Sequence, residues 1–156
     1  MPQSTLQRLK ELTTQLEVSE TKESLLALRL KTVLDAAGAA IWDWEVGSDI
    51  LRWDSKMIKL FDYEESRFKI DDEGWFLLKY KHFISRVHPD DRRRVQDKID
   101  ACLSDNIPYR ITYRVIDKDG NEHLVIQASG DVHSTTSKPE RLVGVCIALE
   151  TGAFNV

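Results

Sequence analysis

Cysteine is scarce: Cys102 and Cys146 are the only two in 156 residues. They form no CxxC pair and no metal-ligand spacing, and each sits in an apolar context. The expectation is two free, buried thiols in a reducing compartment. Long apolar runs are missing as well. No stretch approaches the ~20 apolar residues that cross a bilayer. The polar N-terminus lacks the apolar segment of a secretory signal. The chain is therefore expected to be cytoplasmic, with no membrane partner. Excess positive charge is absent, the net charge being -4. The one dense basic run, Arg92 to Arg94, is surrounded by Asp90, Asp91, Asp97 and Asp100. It reads as a solvated helix face, and no nucleic-acid partner is expected.

Catalytic signatures are also lacking. There is no phosphate-cradling glycine loop, no Gly-x-Ser-x-Gly and no His-Glu-x-x-His. His82, His88, His123 and His133 share no metal spacing. Asp117-x-Asp119-Gly120 opens like a calcium loop but lacks the later ligands and the closing Glu. The chain is not expected to be an enzyme, and neither a metal nor a resident cofactor is expected. No internal repeat or low-complexity segment interrupts it.

What is present is, first, a periodic N-terminus. Leu9, Leu12, Leu16, Ser19, Glu23, Leu26, Leu30, Val33 and Ala37 recur at alternating steps of three and four. That spacing lays them in one stripe along a helix, the a/d seam of a coiled coil. A helix from about Ser4 to Ala37, ended by Gly38, is expected, with Leu9, Leu12, Leu16, Leu26, Leu30 and Val33 as dimerisation residues. The alternative is a helix that packs on its own domain. Ser19 and Glu23 weaken the seam midway.

About 115 residues follow, enough for one small domain with its own core. Ile41 to Val46 alternates, with Trp42, Trp44 and Val46 on one apolar face. Gly47 to Asp49 reads as a turn and Ile50 to Trp53 as a second strand. Asp54 is placed to cap a short helix carrying Met57, Leu60 and Phe61. Residues 62–74 are charged and irregular, and Trp75 to Val87 reads as partly helical. His88-Pro-Asp-Asp91 is a sharp helix start. Val95, Ile99, Cys102 and Leu103 form that helix's buried stripe, and Asn106 and Pro108 end it. Three strands follow: Tyr109 to Ile116, His123 to Val132, and Arg141 to Leu149. Asp117 to Gly120 is hairpin chemistry, and Ser134 to Pro139 a polar loop. The last strand is apolar at nearly every position and should be central in the sheet. The result is an α+β domain: five antiparallel strands with helices on one face.

These residues resemble a PAS domain of the subgroup with an HPDD helix start. Arg52-Trp53-Asp54-Ser55 followed by Leu60-Phe61-Asp62-Tyr63 is similar to one stretch of that group. Phe83 to Arg92 resembles its most recognisable run. Tyr113-Arg114-Val115, Asp119-Gly120 and Leu142 to Val145 complete the pattern in order. The domains expected are a helix at 1–37, a PAS domain at 38–150 and a tail at 151–156. The resemblance implies a ligand-capable pocket and dimerisation through the N-terminal helix. Three departures stand out: Leu124 where a Trp is usual, Thr112 where an acid is common, and Ala148-Leu149-Glu150 where the family's closing Asp is absent. That Asp helps couple the family's domain to a downstream output helix, and the residues to Val156 show no such helix. The chain is then a piece of a larger sensor, or signals through its N-terminal helix, or works alone.

The inward faces of the last three strands should line any pocket, making Tyr109, Tyr113, Gln127 and Cys146 the ligand-binding candidates. The alternative is a core simply filled by Tyr109, Tyr113, Phe83 and Trp75. His82 lies where some family members place a haem ligand, so a haem- or other cofactor-bearing sensor is a second reading. Neither cysteine lies in the flavin-adduct signature. A third reading, a small-molecule enzyme on a similar α+β cone, lacks a clear acid–base pair. The first reading is a sensory and dimerisation module of two-component or cyclase signalling. Its partners would be a second copy, a small-molecule ligand, and a fused or separate kinase or cyclase output domain.

Overall fold

The structure is a computed structural model and describes residues 4–134 and 141–149. The chain divides into two units, Met1–Ala37 and Gly38–Val156.

The first unit is helix α1, Thr5–Ala37. The Ser4 hydroxyl accepts the Gln7 N–H at 3.2 Å and so satisfies a donor of the open first turn. Threonine is tolerated inside the helix because the Thr13, Thr14, Thr21 and Thr32 hydroxyls donate to the carbonyl four residues back. Gly38, at φ +66°, turns the chain out, a left-handed step that glycine makes without cost to a side chain. No residue of α1 is buried. Leu9, Leu12, Leu16, Leu26, Leu30 and Val33 are between 49% and 64% exposed.

The second unit holds β1 (Ala40–Glu45), β2 (Ile50–Trp53), α2 (Ser55–Leu60), β3 (Lys69–Ile70), β4 (Phe76–Leu78), α3 (Tyr80–Ile84), α4 (Arg92–Asp105), β5 (Tyr109–Ile116), β6 (Glu122–His133) and β7 (Arg141–Leu149). One antiparallel sheet runs β3-β4-β2-β1-β7-β6-β5. The apolar β7 lies inside it, between β1 and β6, as expected. The strand count is corrected from five to seven. Leu51, Arg52 and Trp53 of β2 pair with Leu78, Leu77 and Phe76, so β4 adds to an edge that local sequence leaves open. β3 then adds to β4. The expected polar loop lies outside the described residues beyond Ser134, as does the 151–156 tail.

Local chemistry ties the layers together. Asp54 caps α2 through the Met57 N–H at 2.9 Å, and its other oxygen accepts the Ile41 N–H of β1 at 3.1 Å. His88 Nδ1 accepts the Asp90 N–H at 3.1 Å, and Pro89 opens the 3₁₀ turn that leads into α4. Asn106, at φ +53°, closes α4. Asp91, the one buried charged residue among those described, accepts from Arg114 Nε at 3.0 Å, from its terminal nitrogen at 2.8 Å and from its backbone N–H at 2.9 Å. This clamp joins the start of α4 to β5. The Arg114 guanidinium holds the Asp91 carboxyl well below the usual carboxylate range. The Asp117 carboxylate accepts the Asp119 and Asn121 N–H groups across the β5–β6 hairpin.

The core lies between the sheet's inner face and the helices. Trp53, Met57, Ile58, Phe61, Val95, Ile99, Cys102, Val115 and Ile126 are buried there.

Candidate functional site: an aromatic cavity

The pleat of β1 sends Trp42 inward, and the register places it opposite Gly144. Gly144 in turn lies opposite Gly130 of β6. A Cβ at Gly144 would stand 2.0 Å from the Ser129 carbonyl oxygen and 2.4 Å from the Trp42 ring. A Cβ at Gly130 would meet that ring at 2.6 Å. The two glycines thus clear a floor on which the indole lies, the close approach that glycine inside a strand permits. Trp42 and Tyr109 meet at right angles, with ring centroids 5.8 Å apart.

Beside this floor is a cavity of about 40 Å³. Its wall comprises Trp42, Trp44, Leu51, Trp53, Met57, Tyr80, Phe83, Ile99, Tyr109, Tyr113, Ala128, Leu142 and Cys146. No wall residue is charged. The Tyr113 hydroxyl and Cys146 sulfur lie 3.7 Å apart. Burial pushes the Cys146 thiol up to about 12, against the pull of the Tyr113 hydroxyl and the Trp42 indole. Burial also raises the Tyr113 and Tyr109 phenols. All three groups are therefore neutral near pH 7. Trp42 Nε1 is buried and meets no oxygen or nitrogen acceptor, its one pull being on the weakly accepting Cys146 sulfur.

α3 supplies the wall residues Tyr80 and Phe83. A single carboxylate positions it: Asp49 Oδ1 accepts both the Tyr80 N–H and the Trp44 indole N–H, each at 3.0 Å. Asp49 sits in the β1–β2 turn at φ +54°. The Trp44 and Tyr80 rings are 5.1 Å apart, and the Tyr80 hydroxyl donates to Gln96 of α4. Burial, with Asp100 nearby, pushes that hydroxyl up to about 12.

Of the four ligand-binding candidates, Tyr109, Tyr113 and Cys146 come together in this wall. Gln127 does not, and its inward placement is corrected. It pairs with Thr112 and is exposed on the outer face, because Ile126 and Ala128 hold the inward positions of β6. Of the two further core fillers, Phe83 lines the cavity and Trp75 does not. His82 is also absent from the wall. Its Nδ1 accepts the Lys79 N–H at 3.0 Å, and its ring packs edge-on against Phe68 at 5.4 Å. A cavity of about 40 Å³ with no histidine in its wall does not fit haem. Sequence reasoning missed the roles of Asp49, Gly130 and Gly144. The two strand glycines were the available signal.

Among the described residues no group of three or more His, Cys, Asp or Glu could hold a metal. No described helix is long and apolar enough to cross a membrane. The six seam residues of α1 are all exposed.

Comparison with known proteins agrees with this architecture. The chain is similar to a probable diguanylate cyclase, DgcE, of Escherichia coli (strain K12), with 27% identity over 131 residues. The match takes in 84% of this chain and spans 11% of the length of that relative. Among solved structures, a sensory box histidine kinase/response regulator from Burkholderia thailandensis E264 superposes with a TM-score of 0.62 at 25% identity, over 78% of this chain and 84% of that one. The N-terminal domain of a diguanylate cyclase with PAS/PAC sensor from Marinobacter aquaeolei superposes with a TM-score of 0.58 at 16% identity, over 70% of this chain and 94% of that one. The family described as PAS fold matches residues 50–146, from β2 into β7. This chain belongs to the PAS-fold family.

Proposed function

We propose that this chain is the sensory and dimerisation module of a cytoplasmic signal-transduction protein. The module itself does no chemistry. It passes the state of its cavity through α1 to a kinase or cyclase output domain, fused or separate. The observation that carries this reading is one of chain order. α1 ends at Ala37 and β1 starts at Ala40, and β1 holds the cavity residues Trp42 and Trp44. Whatever shifts those indoles pulls on the strand that directly continues α1. The exposed stripe of Leu9, Leu12, Leu16, Leu26, Leu30 and Val33 supports a partner helix from a second copy. The relatives named above, histidine kinases and diguanylate cyclases, support the choice of output.

The mechanism is a population shift. An occupant that binds one packing of the domain better biases the helix pairing by its difference in affinity, and helix pairing biases occupancy equally in return. Sedimentation of the full chain tests the seam. Replacing Ser19→Leu and Glu23→Leu together puts leucine at both polar seam positions and should tighten the dimer about tenfold or more, each buried leucine contributing roughly 1.5–3 kcal/mol. Unchanged association would sink the seam.

A further inference from the structure

We infer that the cavity is built for a small, flat, uncharged molecule, mostly apolar, with one hydrogen-bond acceptor that takes the indole N–H of Trp42. This inference rests on the sensory reading above and gives that site a ligand chemistry.

The wall excludes charge. None of its thirteen residues is ionised, so a charged ligand would be stripped of water with no counter-ion to meet it. The wall also lacks a strong acceptor, since no side chain in it carries a carbonyl or carboxylate. Donors, by contrast, are in surplus. An indole N–H can only donate, and that of Trp42, in a residue only 7% exposed, has no oxygen or nitrogen acceptor and pulls only on the weakly accepting Cys146 sulfur. The Tyr113 hydroxyl has only the Cys146 sulfur, a weak acceptor, at 3.7 Å. A buried donor left unmade is unfavourable, and an incoming acceptor removes that penalty. Trp42, held over Gly130 and Gly144, joins Trp53, Phe83, Tyr109 and Tyr113 in a wall rich in aromatic faces, which favours a flat ligand that can stack.

Size sets the mode of entry. The void exceeds the ~10–15 Å³ that one water needs but falls short of the ~150 Å³ that admits benzene. A ring-sized ligand must therefore displace Phe83 and Tyr80. Both ride on α3, five residues long, whose first N–H is held by Asp49.

The test uses the full chain labelled with nitrogen-15 and three probes of similar shape. Acetophenone is neutral with one carbonyl, ethylbenzene has no acceptor, and benzoate is charged. Acetophenone should move the Trp42 indole N–H resonance and bind about tenfold tighter than ethylbenzene, the size of one hydrogen bond to a buried donor. Benzoate should leave the core resonances unmoved. In Trp42→Phe the two neutral probes should bind equally. If that variant fails to fold, the wild-type indole shift and the acetophenone-to-ethylbenzene ratio decide alone. Equal binding of the neutral probes to wild type, or core shifts from benzoate, would overturn the inference while leaving the cavity as a sensory site. No core shift from any probe would overturn the sensory reading as well.

Discussion

In α1, Leu9, Leu12, Leu16, Leu26 and Leu30 are 49–62% exposed, whereas Leu51, Leu78 and Leu142 of the sheet are 2–5% exposed. Both groups are periodic, one at the helix step and the other at the strand step. The difference is where the partner comes from. The sheet's leucines share one buried cluster with residues of α2 and α4 in the same unit, so the domain completes its own core. The helix leucines have no core within their own unit. Helices draw most of their stability from packing an apolar face rather than from propensity. The domain should therefore be stable alone, and α1 should gain its rigidity from association.

The largest blow to the self-sufficient half comes at Gly144. A methyl group there would collide with backbone, at 2.0 Å from the Ser129 oxygen and 2.8 Å from Gly130 Cα, as well as with Trp42. Backbone cannot rotate away as a flexible side chain can. Gly144→Ala should destabilise the domain by about 3 kcal/mol or more, read by denaturant unfolding. A midpoint close to wild type would mean that the Trp42 floor is not packed as described.

Next comes the Asp91–Arg114 clamp. Asp91→Ala leaves the Arg114 backbone N–H and its partly exposed guanidinium without their acceptor, and should cost about 1–3 kcal/mol. The pH dependence has a definite sign. Arg114 depresses the Asp91 carboxyl in the folded state, so between the folded and unfolded values the unfolded chain binds more protons. The clamp's contribution is fully present above about pH 4 and is lost as pH falls below it. The variant should lose stability less steeply than wild type between about pH 4 and pH 2, over the acid range of a depressed carboxyl. Parallel acid curves for the two proteins would remove Asp91 as the cause.

The parts legible in the sequence are those whose chemistry is local. Asp54, the His88 helix start, Asn106 and Gly120 each act within a few residues, and the structure puts each where its neighbours imply. Long-range pairings were illegible. Phe76 to Leu78 carry no strand alternation of their own and become a strand because β2 offers an open edge. Asp91 reads as a helix-dipole acid, yet its main partner is 23 residues further on. Gln127 illustrates lost parity. Leu124, Val125 and Ile126 are apolar in succession, so alternation cannot say which face turns inward, and the small Ala128 and Gly130 that settle it carry little hydrophobic signal. At the site, bulk was legible in Tyr109, Tyr113 and Cys146. The floor of absent side chains beneath Trp42 was not.

α3 stands between the two extremes, half-buried and only five residues long. Burial, with Arg67 and Lys81 nearby and Asp49 opposing, holds the His82 imidazole below its ordinary value. Its Nδ1 cannot be protonated without giving up the Lys79 N–H. The resulting stability is present above about pH 6.5 and is lost as pH falls through the lower folded value. Lowering the pH from 7 to 5 should cut the exchange protection of the Lys79 amide, its observed rate relative to the intrinsic rate at each pH, several-fold, with little change in global unfolding. His82→Ala should show the reduced protection already at pH 7. Protection at Lys79 that ignores both changes would show that the imidazole does not hold the start of α3.

The smallest expected effect on the domain sharpens the comparison most. Leu16→Glu combined with Leu26→Glu places two charges on the α1 stripe, at positions 60% and 62% exposed. Surface changes away from packing features usually fall within about ±0.5 kcal/mol. The domain's unfolding midpoint should therefore stay put, while the dimer should dissociate because each charge would have to be buried in the seam. The two readouts separate the two fates open to an apolar stripe. If the helix pairs with a second copy, association is lost and domain stability is kept. If the leucines belong to the domain's own core, domain stability falls by more than about 1 kcal/mol and association need not change. One variant measured two ways thus decides whether α1 is completed by another molecule or by its own chain.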